Sequence, residues 1–241
     1  MRHALLSDVH GNLEALDAVL ADLERRRVDD VVCLGDFVGY GANPKECIER
    51  LEARIEWGLL GNHDQAVVDP SALADFNDDA AAAARWTRRQ LTPRHLAYLA
   101  GRPLFARWHG ARLVHSSPSD PGAWNYLLDK QDAEGEFEWF EERFCFVGHT
   151  HVPMVFDWSH GIEAVRHDAL TAIREGHRYL VVVPSVGQPR DHDPRAGYLV
   201  WDDEAGTFEQ VRLDYDIDRA AQRIHDAGLP TWLANRLQFG S

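Results

Sequence analysis

The sequence predicts an α/β fold, a single domain over residues 1–241 in which two β-sheets pack together and helices flank them. Two observations support this prediction. Residues 2–60 alternate strand-like apolar runs with helical patterns, which is typical of a parallel sheet with right-handed crossovers. Residues after 151 show a succession of short strands typical of a β-meander, and no linker-like stretch separates the two parts.

The first sixty residues contain three predicted strands and two predicted helices. Asn12 is a suitable N-cap, and apolar residues recur at helical spacing after it. Pro44 suits the first turn of the second helix. Because the carboxyl ends of parallel strands lie at one edge of a sheet, the turns after these strands should lie close together. The predicted strands are Arg2–Ser7, Asp30–Leu34 and Ile55–Leu60.

Two segments of the middle of the chain are expected to shape specificity. Residues 71–100 are a predicted helical insertion, since they contain the strong helix-forming run Ala80–Ala84 and a second helix that begins at Pro93. Residues 118–142 mix proline, glycine and aromatic residues and form a predicted loop and helix segment. Two helices, over residues 216–227 and 229–237, close the chain. The later predicted strands are Leu113–Val114, Phe144–Val147, Val152–Trp158, Ile162–Val165, Arg178–Val183, Gly197–Trp201 and Phe208–Leu213.

The charge balance limits the classes of ligand. Hydrophobic residues make up 45% of the chain, which is ample for a core, and 25 basic against 39 acidic residues give a net charge of −14. The electrostatic field of this negative charge repels phosphate backbones and disfavours nonspecific nucleic-acid binding. It is compatible with a small anionic substrate that bound metal ions attract.

The cysteines and the apolar runs predict a cytoplasmic protein. Cys33, Cys47 and Cys145 form no close pair, and such a sparse, odd count fits a reducing compartment. The first predicted strand begins near residue 2, which leaves no room for a secretory signal. No apolar run approaches the length of a membrane span, so we expect no membrane partner. No feature of the sequence predicts an oligomeric state.

Five short stretches at the ends of predicted strands carry metal-ligand residue types. On an extended backbone, residues two apart project to the same side, so each Asp-x-His or His-x-His pair can reach one ion. Carboxylate and imidazole together suit Mn²⁺, Fe²⁺, Zn²⁺ or Ni²⁺, and the absence of neighbouring cysteines argues against a structural thiolate zinc site. The stretches are Ser7-Asp8-Val9-His10, Leu34-Gly35-Asp36, Gly61-Asn62-His63-Asp64, His115 and Gly148-His149-Thr150-His151.

Each stretch alone has an ordinary structural explanation. A single Gly-Asp is usually a turn, and a histidine after an apolar run is more often a core or capping residue than a ligand. The functional interpretation therefore depends on the set, in which five elements of ligand type each follow a strand.

The order of these motifs resembles the calcineurin-like metallophosphoesterase superfamily. The match covers residues 8–151, and the pattern of strands around them is consistent with it. The resemblance implies a four-layer αββα double β-sandwich with a two-metal site. It implies that Asp8, His10 and His151 bind one ion and that Asn62, His115 and His149 bind the other, with Asp36 bridging both. It further implies that His63 faces the substrate and that Asp64 orients the imidazole of His63.

This assignment agrees with the chemistry of phosphate esters, whose oxygens repel an anionic nucleophile. Two cations roughly 3.5–4 Å apart can hold a bridging hydroxide and neutralise the oxygens that it attacks. We expect Mn²⁺ first, with Fe, Zn or Ni as alternatives. Asp36 suits a bridge because each of its oxygens can take one metal. His63 would stabilise phosphoryl charge or protonate the leaving alkoxide, although a metal ligand or a turn residue is the alternative for it.

The sequence differs from the protein phosphatases of this superfamily, and the differences argue against a protein substrate. Their arginines after Gly-Asp and Asn-His are missing here, where the chain reads Gly35-Asp36-Phe37 and Asn62-His63-Asp64-Gln65. The run Gly35 to Pro44, together with Ser185 to Asp191, is similar to a bacterial group of small metallophosphoesterases near the cyclic phosphodiesterases. We therefore expect a phosphodiesterase that acts on a small phosphorylated, nucleotide-type substrate, with monoester hydrolysis as the less favoured reaction.

Four residues outside the ligand set are candidates for the substrate wall. Tyr40 could stack on a base, although packing on its own loop is an equal alternative. Trp124 and Tyr126 could line the pocket, with core packing the alternative. Arg190 could contact phosphate, with an ion pair to a neighbouring aspartate the alternative.

Two other functions are compatible with the same motifs. A non-catalytic binding module on this fold would keep the scaffold but lose the site, and the retention of His63 with all seven ligands argues against it. A nuclease is disfavoured by the net charge of −14 and by the lack of a basic stripe.

Overall fold

Two six-stranded sheets organise the protein, whose computed structural model describes residues 1–55 and 57–241. The predicted strand Ile55–Leu60 includes residue 56, which lies outside the described residues. Of the remainder of that prediction, Trp57–Gly58 forms a strand.

The first sheet contains the parallel unit that the sequence predicts. Its strands, from one edge to the other, are β3 (Trp57–Gly58), β2 (Asp30–Cys33), β1 (Arg2–Leu6), β11 (Ala196–Asp202), β12 (Thr207–Leu213) and β9 (Leu170–Ala172). β1, β2 and β3 pair in parallel, whereas β11 pairs with β1 antiparallel.

The second sheet is also mixed. Its strands are, in spatial order, β4 (Phe105–Trp108), β5 (Ala111–Val114), β6 (Phe144–Val147), β10 (Arg178–Val182), β7 (Met154–Trp158) and β8 (Ile162–Arg166). β6 pairs in parallel with both β5 and β10, and the remaining pairs are antiparallel.

The strands after residue 151 do not form one meander, which corrects the sequence-based expectation. β7, β8 and β10 join the second sheet, and β9, β11 and β12 join the first. A continuous apolar run, Tyr198 to Trp201, identifies β11 as a strand, but it does not specify which sheet edge the strand pairs with. In the structure it adds to β1, where both of its faces are buried. No strand was predicted from the sequence at the positions of β4 and β9.

Eight α-helices and three short 3-10 segments complete the described chain. Asn12 caps the first helix as predicted, since its side chain accepts a hydrogen bond from the amide of Ala15 at 3.1 Å. The helices are α1 (Leu13–Arg26), α2 (Pro44–Glu52), α3 (Asn62–Val68), α4 (Asp78–Gln90), α5 (Pro93–Ala100), α6 (Lys130–Glu134), α7 (Ile217–Asp226) and α8 (Thr231–Asn235). The 3-10 segments are Pro70–Asp75, Gly135–Glu138 and Arg236–Gln238.

The core has the helix–sheet–sheet–helix layering of the predicted double sandwich. Successive residues of a strand face opposite sides of the sheet, so Leu5 packs between the two sheets and Leu6 packs against α1. On the far side of the second sheet, Cys145 and Leu180 pack against Phe137. The outer helices therefore hold both sheets in place, and the loops at the strand ends remain available for a site.

Candidate metal centre

The loops at one edge of the sandwich carry every predicted metal ligand. In each case the ligand lies within a few residues of a strand's carboxyl end, as expected for parallel strands. The side chains are almost completely buried apart from one, Asn62, which is partly exposed. The predicted ligands are Asp8 and His10 after β1, Asp36 after β2, Asn62 at the start of α3, His115 after β5, and His149 and His151 after β6.

Asp8, His10 and His151 form one cluster. Nε2 of His151 lies 3.2 Å from Oδ1 of Asp8 and 3.1 Å from Nε2 of His10. The donor atoms of all three residues lie within 4.8 Å of one another. The structure therefore brings together the three residues that the resemblance assigns to one ion.

Asp36, His115 and His149 form a second cluster, whose donor atoms also lie within 4.8 Å of one another. Oδ2 of Asp36 lies 3.5 Å from Nε2 of His115 and 3.6 Å from Nε2 of His10, so one oxygen faces both clusters. The other oxygen accepts a hydrogen bond from the amide of His63 at 2.9 Å. Oδ2 is thus the oxygen that these distances place near both clusters, and the expectation that each oxygen takes one metal stays a prediction.

Backbone carbonyls fix the orientation of the four imidazoles. The Nδ1 atoms of His10, His115 and His151 lie 3.2, 2.9 and 2.5 Å from the carbonyl oxygens of Val38, Leu34 and Gln188. His149 uses the opposite nitrogen, since its Nε2 lies 2.8 Å from the carbonyl oxygen of Trp124. A carbonyl can only accept, so each ring donates outward, and in the neutral ring the other nitrogen is an acceptor. This outward bond is typical of metal-binding histidines.

The inward-facing atoms fit a pair of cations. Oδ1 of Asp8, Oδ1 of Asn62 and Nε2 of His115 are buried and have no hydrogen-bond partner among the described residues. Nε2 of His10 and Nε2 of His151 face each other as two acceptors. A buried acceptor without a partner is costly, and a cation relieves that cost for several acceptors at once.

The electrostatics of the centre also favour cations. Burial lowers the pKa of His115, but the carboxylates of Asp36 and Asp8 more than offset this and raise it to about 9. Burial acts to raise the pKa of Asp8, yet the imidazoles of His151, His115 and His10 hold it well below its usual range. The ionised carboxylates stabilise the protonated form of the buried imidazole of His115. The same negative charge would attract a divalent cation.

Left-handed backbone conformations are concentrated at this edge. Among residues 1–55 and 57–241, ten non-glycine residues have positive φ, a conformation that few such residues adopt, and seven of them belong to the predicted site. Strained backbone of this kind is typical of functional sites, where the surrounding structure must hold it. The seven are Asp8, His10, Asp36, Tyr40, Trp124, His149 and His151.

His63 lies beside both clusters. Its ring packs against those of Tyr40 at 4.3 Å, Phe76 at 4.8 Å and His10 at 4.9 Å, measured between centroids. One of its nitrogens lies within 4.8 Å of donor atoms of His10 and Asp36, so distance alone does not separate a ligand from a substrate-facing residue. Its Nδ1 is buried and has no hydrogen-bond partner among the described residues.

Asp64 does not make the contact that the resemblance implies. Its Oδ1 accepts from the amide of Val38 at 3.2 Å and its Oδ2 accepts from the amide of Gly61 at 3.1 Å. With both oxygens used by backbone amides, the carboxylate fastens two loops together. This corrects the expectation that Asp64 orients the imidazole of His63.

An open cleft with about 670 Å³ of empty space lies over the clusters. Tyr126 is 48% exposed there and stacks on His149 with ring centroids 4.2 Å apart. Trp124 also lines the cleft, and its Nε1 donates to Oε1 of Gln65 at 2.9 Å. Both aromatic residues are therefore at the cleft and not in the core.

Tyr40 and Arg190 lie at the other side of His63. Tyr40 is 9% exposed and lines the cleft, so it packs on its neighbours and faces the site. Arg190 donates to Oε1 of Gln188 at 2.9 Å and to the hydroxyl of Tyr40 at 3.4 Å. The alternative ion pair is absent among the described residues, since Asp191 pairs with Arg212.

Several supporting residues had no prediction from the sequence. Phe76 packs on His63, and Gln65 holds Trp124. The hydroxyl of Ser185 and the amide of Gly187 both donate to the carbonyl oxygen of Asp8, at 3.0 and 2.9 Å. The run Ser185 to Asp191 carried a family resemblance, and that signal could have identified it as a support of the metal ligands.

Comparison with known proteins agrees with this geometry. A model of the calcineurin-like phosphoesterase superfamily domain matches residues 1–206. The chain belongs to the calcineurin-like phosphoesterase superfamily. This superfamily is dimetal-dependent, and its activity is hydrolysis of phosphoester bonds. The described His and Asp clusters could hold the metals of such a phosphoesterase.

Similar proteins extend over the whole chain. The crystal structure of a metallophosphoesterase from Sphaerobacter thermophilus has a TM-score of 0.87 at 38% identity and covers 100% of this chain and 99% of its own. The "Uncharacterized protein MJ0912" of Methanocaldococcus jannaschii is 36% identical, over 98% of this chain and 97% of its own. Hypothetical protein PH1004 from Pyrococcus horikoshii OT3 shares the fold, with a TM-score of 0.82, 20% identity and coverage of 100% and 98%.

Within residues 1–55 and 57–241, no helix is long and apolar enough to span a bilayer.

Proposed function

We propose that this phosphoesterase is a dimetal-dependent phosphodiesterase that hydrolyses a small nucleotide-type substrate. The observation that carries the proposal is the position of Oδ2 of Asp36, which lies 3.6 and 3.5 Å from Nε2 of His10 and of His115. One carboxylate oxygen is thus shared by two ligand clusters, as a two-metal centre requires.

The residues would divide into two ligand sets and one shared group. When bound, the two cations supply Lewis acidity to the phosphoryl oxygens and a hydroxide at neutral pH. The carbonyl bonds of the four histidines keep their acceptor nitrogens aimed inward, so little ordering cost remains on binding. The proposed sets are Asp8, His10 and His151 for one ion, Asn62, His115 and His149 for the other, and Asp36 for both.

His63 is the proposed catalytic residue that contacts the phosphoryl group. Its ring is held by Tyr40 and Phe76, and it lines the cleft. From there an imidazole N–H can donate to a phosphoryl oxygen or to the leaving oxygen. Proton donation of this kind contributes typically about 10²–10⁴-fold to a rate.

The cleft supports a substrate with an anionic and an aromatic part. Arg190 lines a pocket beside the cleft, and its guanidinium donates to the hydroxyl of Tyr40, which lines the cleft. It is a cation without a carboxylate partner among the described residues, and its charge acts on His63 and His151. In a chain of net charge −14, such a guanidinium is suited to a phosphate oxygen. Tyr126 and Trp124 offer rings on which a nucleobase can stack.

Three further proposals accompany the function. Manganese is the proposed metal, since the sets combine carboxylate and imidazole without thiolate. The cytoplasm is the proposed location, since Cys33, Cys47 and Cys145 are all buried free thiols. The proposed ligand is a small phosphorylated molecule, and neither a nucleic acid nor a membrane is a proposed partner.

The test compares Mn²⁺-loaded protein on bis-p-nitrophenyl phosphate and on p-nitrophenyl phosphate, with an Asp36→Asn variant as control. We expect turnover of the diester to exceed that of the monoester, and the variant to lose both. Faster monoester hydrolysis would reject the diesterase proposal. Equal rates in the two proteins, or none in either with several metals, would reject a metal-dependent hydrolase. A screen of cyclic and linear nucleotides would then identify the substrate class.

A further inference from the structure

A second group of metal-ligand side chains lies at the opposite end of the sheets. His3 lies on β1, Asp30 begins β2, and His109 lies in the turn between β4 and β5. Their donor atoms all lie within 4.8 Å of one another. Since a strand rises about 3.3 Å per residue, His3 is about 16 Å from Asp8, so this group is separate from the candidate metal centre.

Two hydrogen bonds to Asp30 hold the imidazoles of His3 and His109 close to the ligand spacing of a metal site. Oδ2 of Asp30 lies 3.1 Å from Nδ1 of His3 and 3.0 Å from Nε2 of His109. Bonds of about 2.0–2.1 Å in a tetrahedral zinc site place ligand atoms roughly 3.3–3.4 Å apart. A small adjustment of three side chains would therefore accommodate an ion.

His3 is held in position by its surroundings. It is 1% exposed, and its ring packs against Trp108 at 5.1 Å and Trp201 at 4.8 Å between centroids. Its other nitrogen, Nε2, lies 3.8 Å from Oδ2 of Asp203. At that distance the carboxylate adds negative charge near the ring and makes no hydrogen bond to it.

The carboxylate of Asp30 is directed at two imidazoles. Among residues 1–55 and 57–241, the ion pairs of Asp30 are with His3 and His109, and no lysine or arginine neutralises it. One partly exposed carboxylate with two imidazoles is a donor set that suits Zn²⁺, Cu²⁺ or Ni²⁺ more than Mg²⁺ or Ca²⁺.

The turn that carries His109 adds a second observation. His109 and Gly110 have φ of 47° and 75°, so a two-residue hairpin loop with left-handed conformations at both positions joins the strands. Such loops favour Asn-Gly or Asp-Gly. A histidine here is a less favourable turn residue, and in this position it supplies an imidazole beside Asp30.

We infer that His3, Asp30 and His109 form a third divalent-metal site, which takes an imidazole-preferring ion such as Zn²⁺. Because β1 and β2 belong to the first sheet and the hairpin belongs to the second, the ion cross-links the two sheets. An ion that binds only the folded protein stabilises it, so this site is structural.

The test measures Zn²⁺ stoichiometry by equilibrium dialysis with metal analysis, on the wild type and on His109→Asn. Asparagine suits the turn, so the variant should fold while losing the imidazole. His160→Asn, at an exposed histidine outside the group, is the matched control. We expect three bound ions in the wild type and the control and two in His109→Asn. An Asp36→Asn variant should still bind Zn²⁺ at the third site.

A thermal measurement checks the cross-link separately. Zn²⁺ added in titration should raise the Tm of the wild type and of His160→Asn further than that of His109→Asn. Two bound ions in the wild type, a third ion that remains in His109→Asn, or equal Tm increases in all three proteins would each overturn the inference.

Discussion

Nε2 of His10 and Nε2 of His151 lie 3.1 Å apart, and each ring donates its Nδ1 proton to a backbone carbonyl. In the neutral rings, two lone pairs therefore face each other in a buried space. Such an arrangement is unfavourable unless a positive charge lies between the rings. The loops around the centre are thus built to be more stable with metal than without it.

Removal of metal should lower the stability of the protein. An ion at about 100 times its Kd contributes about 2.7 kcal/mol. For a chain of this size we expect Tm to fall by about 5–10 °C after chelation. Scanning fluorimetry with and without EDTA, followed by readdition of Mn²⁺, measures this. A His160→Ala control should show the same change, and a Tm that does not respond to either step would contradict the prediction.

The two ligand sets should be separable by mutation. His115 belongs to the cluster of Asp36 and His149, so His115→Ala should weaken one ion and retain the other. His151→Ala should weaken the other ion, since its ring contacts Asp8 and His10. Titration of Mn²⁺ with metal analysis gives the two stoichiometries. Loss of both ions in each variant would show that the sites are too strongly coupled to be treated as separate sets.

His63→Ala should retain both metals and lose turnover, most strongly for esters with poor leaving groups. The reason is that a leaving oxygen of high pKa gains most from a donated proton, and the loss should be about 10²–10⁴-fold. A series of aryl and alkyl phosphate esters measures the dependence, and metal analysis is done on the same samples. Loss of one ion would instead identify His63 as a ligand, as its distance to His10 and Asp36 allows.

The parallel unit and the positions of the ligands were predictable, because both depend on local features. Apolar runs identify strands, and a ligand residue directly after a parallel strand must lie at the same sheet edge as the others. The structure places Asp8 after β1, Asp36 after β2 and His149 after β6, as that rule requires. The N-cap at Asn12 is another local feature, and it was also predicted correctly.

The remaining features depend on contacts between distant parts of the chain. Asp64 bonds to the amides of Val38 and Gly61, and a backbone amide leaves no mark in the sequence. β11 pairs with β1 because the edge of β1 is available for pairing. The apolar pattern within β11 does not specify that partner. The single oxygen of Asp36 that faces both clusters follows from the amide of His63, which occupies the other.

Arg190→Gln should raise KM for a diester about 10–100-fold and leave metal binding unchanged. The guanidinium has no carboxylate partner among the described residues, and a charge-assisted bond to phosphate contributes about 1.5–3 kcal/mol. Steady-state kinetics at saturating Mn²⁺ measures this. Arg195→Gln is a matched control, because Arg195 lies nearby in the chain but pairs with Asp193. Equal KM values in the two variants would remove Arg190 from the substrate site.

Gly148→Ala should disrupt the first ligand set by a steric effect alone. A Cβ atom at Gly148 would overlap Oγ of Ser7 and lie 2.8 Å from Oδ2 of Asp8. Both side chains are buried, and Oδ2 of Asp8 also accepts a hydrogen bond from the amide of His149 at 3.0 Å. Asp8 must then move away from His151, so we expect loss of one Mn²⁺ together with a lower Tm. Gly135→Ala is the matched control, since a Cβ there meets nothing within 4 Å. Metal analysis and scanning fluorimetry on both variants measure the bound ions and the Tm. Two tightly bound ions in Gly148→Ala would contradict the close contact between Asp8 and this glycine.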